Sequence, residues 1–292
     1  MISKRRLRTL LVRSGYHSKP KVLIIGTQKG GTSALHDYLS KHPDVVPPSR
    51  KEICYFCSES FQYLTHYIPP ICPPDWKELD FFHPTTLTRG RDWYHDHFPL
   101  PYRLTGRKLT YDSTPAYMYY SASPERIRIY DPSIKLIVLL RNPVSRAYSA
   151  WNMYRNFNSH ETYHYLHDSR TFSDAILEEM DEYDSPNSQW HPGYVRRGVY
   201  FEQLERYYKV FSPDQIMVLD SRTLHHNPVR VLEDVCDFVG IRRNVVHSLN
   251  LKPQHVGEYK NPIDPRVERL LRDFYKQHNA RLYDLLGYDM KW

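Results

Sequence analysis

With 292 residues, 40% of them hydrophobic and 25% charged, the chain has the length and apolar content to bury a substantial core, which excludes a disordered polypeptide. A net charge of +7 favours an anionic partner; because no RNP, zinc-finger or basic-zipper pattern accompanies it, a small anion is expected rather than nucleic acid. Four cysteines do not make a disulfide framework at this length, and no apolar run reaches 18 residues, so no membrane span is expected.

In chain order, the run Met1–Arg13 carries Lys4, Arg5, Arg6, Arg8 and Arg13 but lacks the continuous apolar stretch of a signal peptide. It reads as a basic, solvated tail over residues 1–20, ahead of one domain over 21–292. The compartment expected is the cytoplasm, or the Golgi lumen if an anchor lies outside this sequence. Val22 to Ile25 forms an apolar run suited to a buried strand, and Leu35, Tyr38 and Leu39 recur at helical spacing beyond it. His42-Pro43 and Pro47-Pro48 end that helix. Lys51-Glu52-Ile53-Cys54-Tyr55-Phe56 then sets one carboxylate among apolar residues. Residues 58 to 101, rich in Pro, aromatics and His, read as a long irregular insertion with a short helix around Asp92 to Phe98. Cys54, Cys57, Cys72 and the nearby His66 lack the second ligand pair of a zinc site, so idle or buried thiols are expected.

Leu109 to Pro115 predicts a short strand running into a turn, and Ser123 a capped helix with Pro124 in its first turn. Ile134 to Leu140 is a second apolar strand, ending in Arg141. Asn142 caps the next helix, Pro143 starts it, and Ala147, Ala150, Trp151 and Tyr154 mark its buried face. Further helices are expected near 171–182, 198–211, 228–239 and 265–286, started by Asn227-Pro228 and Asp264-Pro265 and stopped by Gly240 and Gly287. Gln215 to Asp220 is a third core strand. Strands separated by helices imply right-handed crossovers, hence a single α/β domain: a P-loop-like, mostly parallel central sheet flanked by helices, with ligands at the carboxyl ends of the strands.

Those strand ends carry the chemistry. Between strand and helix, Gly26-Thr27-Gln28-Lys29-Gly30-Gly31-Thr32-Ser33 brings backbone N–H groups, a helix N-terminus and a lysine towards an anion. Gly26 and Gly31 keep the Walker A gap, but Thr32 stands where that motif demands lysine. Arg141 has a fork suited to phosphate, and Ser149 lies two helical turns further on, so a ligand with phosphates at both ends is expected. A magnesium-dependent kinase would place an acid at the end of a second strand, where this chain has Arg141; Asp220 alone keeps an acid at such a position. A P-loop-type nucleotide kinase and a non-catalytic module binding sulfated glycans remain as alternatives.

Gly26 to Leu35 resembles the 5′-phosphosulfate loop, and Leu139-Leu140-Arg141-Asn142-Pro143 through Ala147-Tyr148-Ser149 the 3′-phosphate motif, of the sulfotransferases that use 3′-phosphoadenosine 5′-phosphosulfate (PAPS). Within that family the chain is similar to the heparan sulfate N- and O-sulfotransferases, from about Val22 to its end. The resemblance implies sulfuryl transfer from PAPS to a hydroxyl or amine of a polar acceptor, a glycan being the expected class, with no metal. It implies donor contacts from Gln28, Lys29, Gly30, Gly31, Thr32, Ser33, Arg141, Ser149 and a carboxyl-terminal loop holding Gly257 and Lys260. Lys29 would balance charge on the leaving phosphate oxygen. Glu52 matches the family's catalytic carboxylate, its apolar neighbours raising its pKa, and Asp112 is the second candidate as base or acceptor-orienting group. The chain departs from the heparan type at Ser113, where lysine is usual, at Val256-Gly257-Glu258, where Lys-Gly-Arg is usual, and in lacking the lumenal cysteine pair.

Overall fold

A computed structural model of the chain describes residues 3–57, 90–104, 106, 109–161, 163–185, 192–252 and 261–292. Four strands pair in the order β2-β1-β3-β4, every pair parallel: β1 (Val22–Gly26), β2 (Tyr111–Ser113), β3 (Lys135–Leu140) and β4 (Ile216–Asp220). The parallel sheet expected from the alternation of strands and helices is thus present. β1 is apolar throughout because it is covered on both faces. Leu23 and Ile25, with Leu136, Val138 and Leu140 of β3, pack against Phe56, Tyr117, Tyr200 and Tyr207. Their alternates Val22, Ile24, Ile137 and Leu139 face Leu35, Leu39, Leu232 and Val235. The β1–β3 register slips after Ile24, which pairs with Ile137 while Gly26 pairs with Val138, and the chain leaves the sheet at that irregularity to form the glycine-rich loop.

Among the described residues the α-helices are α1 (Lys4–Arg13), α2 (Thr32–Ser40), α3 (Gly90–His95), α4 (Ser123–Tyr130), α5 (Pro143–Arg155), α6 (Phe172–Asp181), α7 (Tyr200–Tyr208), α8 (Ser221–His226), α9 (Pro228–Val239) and α10 (Pro265–Leu286). Their ends follow local chemistry. The side chains of Asn142, Asn227 and Asp264 accept from the first turns of α5, α9 and α10, and Gly240 and Gly287 close α9 and α10 in the left-handed conformation. A satellite core joins α5, α6 and α10 through Ala147, Tyr154, Phe172, Ile176, Leu271 and Tyr275.

Three expectations are corrected. The basic run is not a solvated tail but helix α1: Ser3 caps it, Val12 is buried, and Arg8 donates to the Asp96 carboxylate (2.7 Å) and to the carbonyls of Asp96 and Phe98 (2.6 and 2.5 Å). Arg8, Leu11 and Val12 share one helical face, so the charged sequence conceals a docking side. Ser123 does not cap α4; Ala122 holds the cap position, and the buried Ser123 hydroxyl donates instead to the Phe56 carbonyl (3.1 Å). β4 lies at an edge of the sheet, and four of its five residues are only half-buried. Among the described residues no helix is long and apolar enough to cross a membrane.

Candidate active site

The glycine-rich loop is tied to the sheet by main chain. Thr27 donates to the Leu139 carbonyl at the end of β3 (2.9 Å), and Gly30 folds back to donate to Thr27 (2.9 Å). A Cβ at Gly30 would lie 2.4 Å from that same Leu139 carbonyl oxygen, so only glycine fits. Gly31 (φ +100°) occupies the cap position of α2 with no side-chain bond to the helix. The first-turn N–H groups at Thr32 and Ser33 are left to an anion, with the helix dipole behind them.

Cations gather at this point. Arg141 Nη1 donates to the Lys29 carbonyl (3.3 Å), and among the described residues no carboxylate pairs with Arg141. Burial lowers the Lys29 pKa, and the charges of Arg141, Arg146 and Lys51 lower it further, against an opposing pull from Glu52. A lysine, an arginine on its carbonyl and an open helix N-terminus thus lie together, with Arg146 and the Glu52 carboxylate within electrostatic reach of Lys29. These residues fit a bound phosphosulfate, whose charge would relieve their mutual repulsion. Gln28 reaches Tyr154 through its amide nitrogen (3.4 Å), and its buried carbonyl oxygen has no partner among the described residues. Ser149 lies two turns along α5 and is 3% exposed. Gly257 and Lys260 lie outside the described residues, as do Cys72 and His66.

Facing the loop is the segment Lys51–Phe56. Glu52 N–H donates to the Ser113 carbonyl (2.9 Å), at the carboxyl end of β2. Its carboxylate pairs with the Lys51 ammonium and is 36% exposed, instead of being enclosed by the apolar neighbours that the sequence suggested. Asp112 has the opposite setting. It is fully buried and accepts from Thr114 (2.7 Å), Tyr117 (2.8 Å) and Tyr94 (3.0 Å). Burial raises its pKa, and those three hydrogen bonds oppose the rise. A carboxylate so enclosed cannot reach an acceptor, which leaves Glu52 as the base candidate that a substrate can touch. The Ser113 hydroxyl is buried, with no hydrogen-bond partner among the described residues.

Several residues of this site escaped the sequence reading. Arg146 is fully buried, with both Nη atoms on the Gly193 carbonyl (3.3 and 3.4 Å). The signal was available, since Arg146 sits four residues before Ala150 on the apolar stripe of α5. Tyr163 senses Glu52: burial raises its pKa, and the Glu52 charge adds to that. Burial lowers the pKa of His36 on α2 and the Lys51 charge lowers it further, against weaker opposing pulls from Asp37 and Glu52; its ring bonds to the Tyr111 hydroxyl (2.9 Å). Cys54, Cys57 and Cys236 are buried free thiols, and among the described residues no group of three or more His, Cys, Asp and Glu side chains could hold a metal ion.

Residues 19–261 match the family model described as the sulfotransferase domain. Over 292 residues the chain is 27% identical to bifunctional heparan sulfate N-deacetylase/N-sulfotransferase 3 of Mus musculus, the match covering 91% of this chain and 30% of that protein. It is 26% identical to heparan sulfate glucosamine 3-O-sulfotransferase 3A1 of Homo sapiens, across 97% of this chain and 64% of that one. The crystal structure of a sulfotransferase from Alicyclobacillus acidocaldarius superposes with a TM-score of 0.67 at 26% identity, covering 94% of this chain and 98% of the other. The chain spans about 30% of the length of the bifunctional relative it matches. On the family match across most of its length, the chain belongs to the sulfotransferase domain family.

Proposed function

We propose that the protein transfers a sulfuryl group from PAPS to a hydroxyl or amine of a carbohydrate. The observation that carries this reading is Lys29, with Arg141 on its carbonyl, beside the uncapped N-terminus of α2, and with Arg146 and the Glu52 carboxylate within electrostatic reach of Lys29. The first-turn N–H groups of α2 hold the 5′ end of the donor, and Arg141 with Ser149 holds its 3′-phosphate. Glu52 accepts the proton of the attacking acceptor while the bond from sulfur to the phosphate oxygen breaks; the Lys29 ammonium balances the charge left on that oxygen. Both N- and O-sulfotransferases occur among the relatives, in keeping with an amine or a hydroxyl as acceptor.

The kinase alternative would need Asp220, the acid at the end of β4, for its metal, and that residue is engaged elsewhere. Asp220 caps α8 through Arg222 N–H (2.6 Å) and pairs with the Arg222 guanidinium (3.0 Å). Adenosine 3′,5′-bisphosphate at a hundred times its dissociation constant should stabilise the fold by about 2.7 kcal/mol. Labelled PAPS offered with a panel of polysaccharides, glycolipids and small alcohols or amines should yield a labelled carbohydrate. Stabilisation by magnesium-ATP and not by the bisphosphate would sink the proposal, and glycan binding without turnover would replace it with a binding module.

A further inference from the structure

Asp112 is buried behind the site, and its partners run in a definite direction. An ionised carboxylate only accepts hydrogen bonds, so the protons of Thr114 and Tyr117 both point inward, to Oδ1 (2.7 Å) and Oδ2 (2.8 Å). Their oxygen lone pairs are thereby turned outward. Each meets a backbone N–H of the segment that carries Glu52: Cys54 donates to Thr114 Oγ1 (3.4 Å), and Tyr55 donates to Tyr117 Oη (3.0 Å). Two parallel relays thus run from one carboxylate through a hydroxyl to the main chain, beside the bond from Glu52 N–H to Ser113.

The segment needs such fixing. Glu52 (φ +61°) and Cys54 (φ +59°) both adopt the left-handed conformation, which non-glycine residues hold only where their surroundings impose it. Tyr94 supplies the third hydroxyl to Asp112, and its ring stacks on Tyr55 at 4.4 Å between centroids. The Phe56 carbonyl is held from the other side by Ser123.

We infer that Asp112 is a positioning residue that acts through Thr114 and Tyr117 to fix the backbone of residues 52–55, and with it the direction of the Glu52 carboxylate. This rests on the reading of Glu52 as the base. Displacing a catalytic group by about 1 Å can cost up to two orders of magnitude in rate, so losing one relay should show in turnover and not in donor binding.

The test is a double-mutant cycle between Tyr117→Phe and Glu52→Gln, with a hydroxyl-rescue pair at Thr114, read as kcat and KM for PAPS. Tyr117→Phe should lower kcat about tenfold and leave KM for PAPS, and stabilisation by adenosine 3′,5′-bisphosphate, unchanged. In the Glu52→Gln background the same change should cost nothing further, because the group being aimed is gone. Thr114→Val, which keeps the shape and loses the hydroxyl, should lower kcat, while Thr114→Ser restores it. A Tyr117→Phe loss that multiplies with that of Glu52→Gln, a kcat within twofold of wild type, or a Thr114→Ser defect equal to that of Thr114→Val overturns the inference. Full turnover in Glu52→Gln itself would instead refute the base assignment and take this inference with it.

Discussion

The loop that carries Lys29 and the segment that carries Glu52 face each other, but they are held by different parts of the protein. Around Lys29 the geometry is made of main chain: Thr27 and Gly30 close the turn, Leu139 anchors it, and a glycine sits where no Cβ fits. Around Glu52 a main-chain bond to the Ser113 carbonyl of β2 is joined by side-chain hydroxyls drawn from the turn after that strand and from α3. A wall of main chain is robust to most remote substitutions and intolerant of change at its own glycines. A wall of hydroxyls can be detuned one oxygen at a time without loss of fold. The first suits a constant donor, the second an acceptor that differs between related proteins.

The largest effect should come from the Glu52 side: Glu52→Gln should lower kcat by about 10²–10⁴ while adenosine 3′,5′-bisphosphate binds as before. Equal loss of nucleotide affinity would mean that the two walls are not separate. Next, Lys29→Ala should reduce transfer about 10²–10³-fold, measured with labelled PAPS at saturation. On the proposed reading, in which Arg141 holds the 3′-phosphate, Arg141→Ala should weaken bisphosphate binding about ten- to a hundredfold by calorimetry. A larger effect on kcat than on affinity at Arg141 would reverse the two roles.

The smallest effect lies outside both walls and serves as their control. Asp44, 3% exposed, is bound by the Arg242 guanidinium and main-chain N–H, whose hydrogen bonds hold its pKa at about 2 against the upward pull of burial. The folded value lies below the unfolded one of 3.8, so the stabilisation is complete above pH ~4 and is lost as pH falls through about 2. Because Arg242 is half exposed, the contribution is about 1–2 kcal/mol. Asp44→Asn should lower unfolding free energy by that amount at neutral pH, converge with wild type near pH 2 in denaturant titrations, and leave turnover unchanged.

What could be read from the sequence was the chemistry that acts over a few residues. Asn142, Asn227, Asp264, Gly240 and Gly287 mark helix ends because a cap is satisfied within one turn. The loop was equally legible, since its glycines and lysine are contiguous. The frame around Asp112 was not: Cys54 and Tyr55 meet Thr114 and Tyr117 some sixty residues away. No periodicity encodes which tyrosine hydroxyl will face which amide. Arg146 was passed over because a charged residue on a helix is expected to face water, and here it is fully buried.

Arg8 gives the amino-terminal helix a reach that its sequence conceals. By gripping Asp96 and the carbonyls of Asp96 and Phe98, it clamps the exit of the short helix whose Tyr94 completes the hydroxyl set on Asp112. Trimming the first twenty residues as a dispensable leader would release that clamp. The cost would fall on acceptor turnover and spare nucleotide affinity, so a shortened protein could pass every donor-binding assay and still be a poor catalyst.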